Sequence, residues 1–269
     1  MKEDFKRNVS ELRSEIILAA ANAGGGHIGG AFSVLEILYY SYSEFMNFDS
    51  LNPQLEDRDR LILSKGHSCL ALYAVLEKFS MLEKGELQKF LMTDSRLAGH
   101  SEHFHIPHIE ITTGSLGHGI GVAAGMALAG KRARKEWKVI CILGDGECNE
   151  GSVWESLLFA SQHELDNLIV VIDSNKLESL DFTENILGIA PLASKLEAFG
   201  LDVMEIDGHD YDELKNAFGR TPRNKPMGIV ANTIKGKGVS FMEGITKWHY
   251  RAPSELELEI ALRELDSNA

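Results

Sequence analysis

The sequence predicts an α/β protein in which a parallel sheet carries helices on both faces. Helical and strand-like patterns alternate along the chain, and the strand segments, such as "VICIL" and "LIVVI", are apolar at every position. Strands of that kind are buried on both faces, which is the habit of parallel sheets. No repeat, low-complexity tract or linker interrupts the alternation, so residues 1–269 are expected to form a single domain.

The elements follow in order. Residues 3–22 read as a helix, "AGGGHIGG" as a Gly-rich break, and "SVLEILYYSYSEFM" as a second helix with apolar residues at helical spacing. "DRLILSKG" reads as a short strand entering a turn and "CLALYAVLEKF" as a helix. "GIGVAAGMALAGKRARKEW" is a helix whose small residues suit close packing within the domain or at a subunit interface. Then come the strand "KVICILGDG", the helix "SVWESLLFASQHE" and the strand "NLIVVIDSN". Two helix-strand pairs complete the pattern, "LASKLEAFG" with "LDVMEIDG" and "DYDELKNAFG" with "PMGIVANTIKG".

Composition excludes several classes of function. The formal net charge of −13 argues against nucleic-acid binding, which needs a basic face, so an anionic ligand must be held by local donors. Cys69, Cys141 and Cys148 form no CxxC pair, and so few thiols in odd number do not make a disulfide framework. A reducing, cytoplasmic setting is expected. The N-terminal "MKEDFKRNVSELRSEI" is charged and amphipathic, and no apolar run approaches the roughly 20 residues that span a bilayer.

The chemistry concentrates in "VICILGDGECNEGSVWE". A buried strand ends by placing Asp145 between Gly144 and Gly146, at the sheet edge where open α/β folds bind ligands. The glycines let a bulky anion approach main-chain amides, yet Asp145 would repel it. A divalent cation between carboxylate and diphosphate removes the conflict, because magnesium takes oxygen ligands from both. Asn175 ends the next strand, thirty residues on, and a carboxylate, an amide oxygen and a backbone carbonyl make a reasonable magnesium set. The spacing of "DGECNEGSVWE" excludes an EF-hand, "TTGSLGHGIGV" lacks the last Gly of GxGxxG, and "KGKGVS" lacks the Walker spacing.

The GDG turn, the Asn thirty residues on and the acidic "NEG" resemble the signature of thiamine-diphosphate enzymes. Further segments narrow the resemblance to transketolases: "GGGHIGGAFS" resembles SGHPG, "LSKGHSCLALYA" resembles SxGHxS, "AGHSE" resembles GHPE, and "TTGSLGHG" resembles TTGxLGQG. "DNLIVVIDSNKLE", "IDGHD" and "TIKGKG" continue the match in the same order, over roughly residues 10–250. The chain ends soon after the diphosphate-binding domain. It therefore resembles the N-terminal subunit of a split transketolase, whose pyrimidine-binding half, with the cofactor-activating glutamate, is a separate chain. The resemblance implies an α2β2 assembly, inactivity of this chain alone, and transfer of a two-carbon ketol unit between sugar phosphates or sulfonated or otherwise modified sugars.

By the same resemblance, Asp145, Asn175 and the main-chain carbonyl of Leu177 would hold magnesium, with His67 and Gly146 near the diphosphate. Gly114, Ser115, Leu116 and Gly117 would approach the aminopyrimidine and thiazolium rings. Glu150 matches an acidic residue of the subunit interface, and it also suits a helix N-terminus, where the dipole favours a carboxylate. His27, His67, His100 and His249 are the catalytic candidates, since imidazole is suited to proton transfer near neutral pH. Three positions depart from the family pattern: Ile28 replaces the usual Pro, His118 the Gln of TTGxLGQG, and Tyr250 the Gly that many relatives show after the His. These bear on substrate specificity more than on cofactor binding. Other readings remain open here: an alpha-type subunit of a 2-oxo acid dehydrogenase, a non-catalytic protein of the same fold, and a zinc site in "GHSEHFHIPH", which contains His100, His103, His105 and His108.

Overall fold

The computed structural model describes residues 1–221 and 223–267. Helix α1 (Lys2–Asn22) buries Phe5, Val9, Leu12 and Ile16, a stripe at helical spacing. The Gly-rich break is shorter than its composition suggests, because α2 (Ile28–Tyr40) begins inside it. Gly29 and Gly30 lie in the first turn of α2, where a Cβ would come within 2.9 Å of the Trp248 carbonyl and of Ser68 Oγ respectively. Close packing thus outweighs the roughly 1 kcal/mol that each helical glycine costs. The helix ends in a π-turn, Ser41–Phe45, instead of running on to Met46.

One sheet contains β1 (Arg60–Leu63), β2 (Val139–Gly144), β3 (Leu168–Ser174), β4 (Asp202–Asp207) and β5 (Met227–Asn232). The order is β1-β2-β3-β5-β4, and every neighbouring pair is parallel. Alternation along the strands feeds two cores. Cys141, Leu143, Val170 and Ile172 pack with α4 (Gly119–Arg132), α5 (Gly151–Gln162) and α7 (Leu192–Ala198). Ile140, Ile142, Ile169 and Val171 face the other way, toward α1, α2, α3 (Cys69–Lys78), α8 (Tyr211–Phe218) and α9 (Glu255–Ser267).

The helices that directly precede β2 and β3, and α7 before β4, lie on one face, while the return from β4 to β5 uses α8 on the opposite face. Right-handed crossovers require that reversal. The chain leaving β3 therefore turns toward α7, and the chain leaving β5 turns back toward α1 and α9. Between those two adjacent strand ends a crevice opens, which is the topological place for a ligand. The sequence did not foresee α9, nor the short helix α6 (Thr183–Leu187), and it extended α4 to Trp137 although the helix stops at Arg132.

Candidate cofactor and active site

A cleft of about 490 Å³ lies at the carboxyl ends of β2, β3 and β5. It gathers residues that are far apart in sequence: His27 from the start of α2, His67 after β1, His100 from a long loop, Asp145 after β2, Asn175 and Leu177 after β3, and His249 near the C-terminus. Gly114, Leu116, Gly146 and Glu150 also line it. Ser115 and Gly117 do not, although they belong to the same loop.

Asp145 is 4% exposed. Its Oδ1 accepts from the Gly146 amide at 2.8 Å and its Oδ2 from the Lys176 amide at 2.5 Å. Lys176 itself adopts left-handed backbone, φ +64°. Burial, reinforced by the nearby Asp173 carboxylate, pushes the Asp145 pKa up to about 6. A buried carboxylate in that position is stabilised by a cation, and the oxygens at the same edge fit a hard divalent one. Asn175 Oδ1 and the Leu177 carbonyl follow within three residues of β3. The Leu177 carbonyl accepts from Lys235 Nζ at 2.9 Å, but a carbonyl has a second lone pair to offer.

The histidines form one cluster. The His27 ring centroid lies 5.3 Å from that of His67, 5.8 Å from His100 and 5.2 Å from His249, and His67 lies 5.6 Å from His249. Tyr250, the departure after His249, packs its ring 4.7 Å from His27. Burial, aided by the neighbouring imidazoles and by Lys235 and Lys65, lowers His27 to about 3. Burial, aided by Lys235 and Lys65, lowers His249 to about 4. Burial and Lys65 hold His67 well below its ordinary value. The sequence suggested groups titrating near neutrality; packed together under two ammonium groups, these three are instead neutral there. A neutral imidazole can donate from one nitrogen and accept at the other.

Gly117 needs its glycine for a reason other than contact with a flat ring. It adopts φ +80°, and a Cβ there would lie 2.6 Å from both Glu150 Cβ and Ser152 Oγ. Its amide donates to Glu147 Oε1 at 2.8 Å and its carbonyl accepts from Ser152 Oγ at 2.9 Å, so it fastens the 114–117 loop to the GDG segment. Gly114 is exposed in the cleft, with His100 Cδ2 the nearest atom to a built Cβ at 3.4 Å. Glu150 is exposed and sits at the N-cap of α5, but its side chain makes no cap hydrogen bond. Of the departures, Ile28 is fully buried, and His118 occupies the N-cap position of α4 without a side-chain cap bond, its Nδ1 lying 3.0 Å from the Leu116 carbonyl.

Sequence reasoning missed several residues here. Glu147, 2% exposed, accepts from Ser64, from the Gly117 amide and, at 3.1 Å, from the Gly144 amide, tying β1, β2 and the 114–117 loop together. Lys235, in "TIKGKG", reaches the Leu177 and Glu178 carbonyls and His249 Nδ1 at 2.9, 2.9 and 3.0 Å. Burial, with Lys65 nearby, lowers it to about 8. Lys65 forms a buried ion pair with Asp173. A lysine directly before a glycine inside each matched segment was the available signal.

The zinc reading fails. His100 faces His27, His103 Nδ1 lies 2.5 Å from the Ile109 carbonyl, and His108 Nε2 lies 3.1 Å from the Ser50 carbonyl. Among the described residues no group of three His, Cys, Asp or Glu side chains is arranged to hold a metal.

Comparison with known proteins gives one answer. The family described as "Transketolase, thiamine diphosphate binding domain" matches residues 5–265. The chain is 39% identical to a subunit of the apulose-4-phosphate transketolase of Actinobacillus succinogenes, over 98% of this chain and 96% of that one. It is 38% identical, with the same coverages, to a subunit of the 6-deoxy-6-sulfo-D-fructose transketolase of a Clostridium species. The crystal structure of Campylobacter jejuni transketolase superposes with a TM-score of 0.91 at 29% identity, covering 99% of this chain. This chain spans only 43% of that longer one, and 42% of the human transketolase to which it is 36% identical. The chain belongs to the transketolase family of transferases and carries its thiamine diphosphate-binding domain.

Proposed function

We propose that the chain is the diphosphate-binding subunit of a two-chain transketolase, one domain from end to end, which completes its active site with a separate pyrimidine-binding subunit. The observation that carries this reading is the meeting of His27, His67, His100 and His249 with Asp145, Asn175 and Leu177 in one cleft at the sheet's carboxyl edge. The α2β2 assembly is the simplest closed arrangement when each site needs both chain types. The two-chain form is supported by relatives matched over 96% of their own length, which are named as subunits. Their names mention a sugar phosphate in one case and a sulfo sugar in the other, and we assign this chain a ketose donor and an aldose acceptor of that anionic kind. Three buried free thiols accord with a reducing, cytoplasmic setting.

Asp145, Asn175 Oδ1 and the Leu177 carbonyl would hold magnesium. The Gly146 backbone, His67 and the Lys235 ammonium would receive the diphosphate, and the loop from Gly114 through Ser115 and Leu116 to Gly117 would border the rings. When bound, thiamine diphosphate supplies the carbanion and the electron sink for ketol transfer. The protein's own task is to hold and move protons. Neutral His27, His67 and His249 accept from hydroxyls of the donor at one nitrogen and donate to its oxygens from the other, and His100 stands beside His27 at the same wall. Glu150, exposed at the wall of the cleft, meets the partner subunit.

The test is binding followed by turnover. Wild-type chain should bind thiamine diphosphate only with magnesium, by calorimetry, and Asp145→Ala should lose that binding; an indifferent variant would refute the cofactor site. Affinity capture with intact-mass analysis should return a stoichiometric partner carrying a pyrimidine-domain sequence. Turnover of a ketose and an aldose by this chain alone would refute the two-chain reading.

A further inference from the structure

We infer that Asp173, and not only the residues facing the cleft, determines whether Asn175 can serve the metal, by fixing which end of its side-chain amide points outward. The inference rests on the magnesium role proposed for Asn175 and adds a positioning residue beneath it.

An asparagine side chain is nearly symmetric in shape, and its oxygen ligates a cation whereas its NH2 repels one. Something must choose between the two orientations. Here two contacts do so together. Asn175 Nδ2 donates to Asp173 Oδ2 at 3.2 Å, and the Leu177 amide donates to Asn175 Oδ1 at 3.1 Å. Turning the amide over would set its oxygen against a carboxylate and its NH2 against an N–H, so both contacts become repulsive.

Asp173 suits this task because it has no freedom of its own. It is 0% exposed, at the end of β3 on the α2 face. Its Oδ2 accepts from Ser33 Oγ at 2.7 Å and from the Lys65 ammonium as well as from Asn175, and its Oδ1 accepts from the Thr233 hydroxyl. Donors from α2, from the turn after β1 and from the end of β5 thus lock a side chain on β3. An ionised carboxylate only accepts, so it cannot reverse roles as a second amide could. Lys65 neutralises the buried charge that this arrangement requires, and a buried ion pair is better evidence for specificity of arrangement than for stability.

The test separates the hydrogen bond from the charge. Two double variants, Lys65→Met with Asp173→Leu and Lys65→Met with Asp173→Asn, both remove the ion pair, but only the second leaves an acceptor below Asn175. The probe is Mn2+, titrated into the purified chain with thiamine diphosphate and followed by electron paramagnetic resonance. The Leu double variant should bind Mn2+ about tenfold more weakly than the Asn double variant, which should stay within a few-fold of wild type. Equal affinities of the two double variants would overturn the inference. Asp145→Ala is measured beside them: if it binds Mn2+ as wild type does, the metal site itself is misassigned, a failure distinct from that of Asp173. If the Leu variant does not fold, hydrogen exchange of the Asn175 side-chain amide in wild type decides. Slow exchange in the metal-free chain supports the lock, and exchange at the rate of an exposed asparagine overturns it.

Discussion

The neutral histidine cluster makes stability fall as the solution is acidified, and His27 allows the size of that fall to be worked out. Its pKa drops from 6.5 to about 3 on folding, so above 6.5 the residue is neutral in both states and contributes no pH dependence. As pH falls below 6.5 the unfolded chain takes up a proton that the native chain refuses. By linkage, folding stability declines with decreasing pH through the window between 6.5 and about 3. At about pH 5 the unfolded residue is nearly all protonated and the native one nearly all neutral, which costs about 2 kcal/mol. His249 and His67 act in the same direction, His249 less because it is more open to solvent screening. The contributions are not additive, since protonating one ring disfavours protonating the next. Urea denaturation of wild type and His27→Asn at about pH 7 and about pH 5 measures the effect. For a slope of about 3 kcal/mol per molar, wild type should lose about 0.7 M more in midpoint than the variant over that interval. Equal losses would show that His27 titrates normally, and the picture of a cluster held neutral by burial would be wrong.

Two further expectations concern the frame of the cleft. Gly117→Ala should lower stability by about 1–3 kcal/mol, because it places a Cβ in left-handed backbone 2.6 Å from Glu150 and Ser152, whereas Gly114→Ala should leave the melting temperature nearly unchanged. Equal melting of the two variants would contradict this. Glu147→Gln should cost about 1–3 kcal/mol, since its NH2 must then face either the Gly144 or the Gly117 amide, and hydrogen exchange at those two amides should quicken; unchanged exchange would remove Glu147 as the brace.

How far the sequence reveals these features depends on how local their physics is. The apolar run of β3 and the Gly-Asp-Gly turn after β2 are local signals, and they lead to a parallel sheet with Asp145 at its carboxyl edge. The pairing of β2 with β3 follows from one intervening helix, and the register sets Gly144 beside Asp173. Helix α9 was missed because its stripe is sparse: only Ala261 and Leu265 are buried along it, and its docking against α1 is a tertiary contact. The start of α2 was misplaced for a related reason. Glycines read as a break in a sequence, and only packing against Trp248 and Ser68 shows that the helix needs them there.

The site divides along the same line. Residues whose chemistry is unusual for their neighbourhood, such as Asp145 among apolar residues or four histidines each beside a glycine or a tryptophan, stand out in the sequence. Residues whose role is to satisfy those groups do not. Lys65, Glu147 and Asp173 look like ordinary charges at strand ends and turns, yet each is buried, and each is stabilised by a partner at least thirty residues away. An unpaired buried charge costs several kcal/mol, so these partners must be supplied by the folded arrangement even though no local pattern announces them. The residues that brace the cleft are therefore the ones a sequence hides. They include a place where an exchange of one side chain, Asp173 for an apolar residue, should alter the metal site without replacing a residue that lines it.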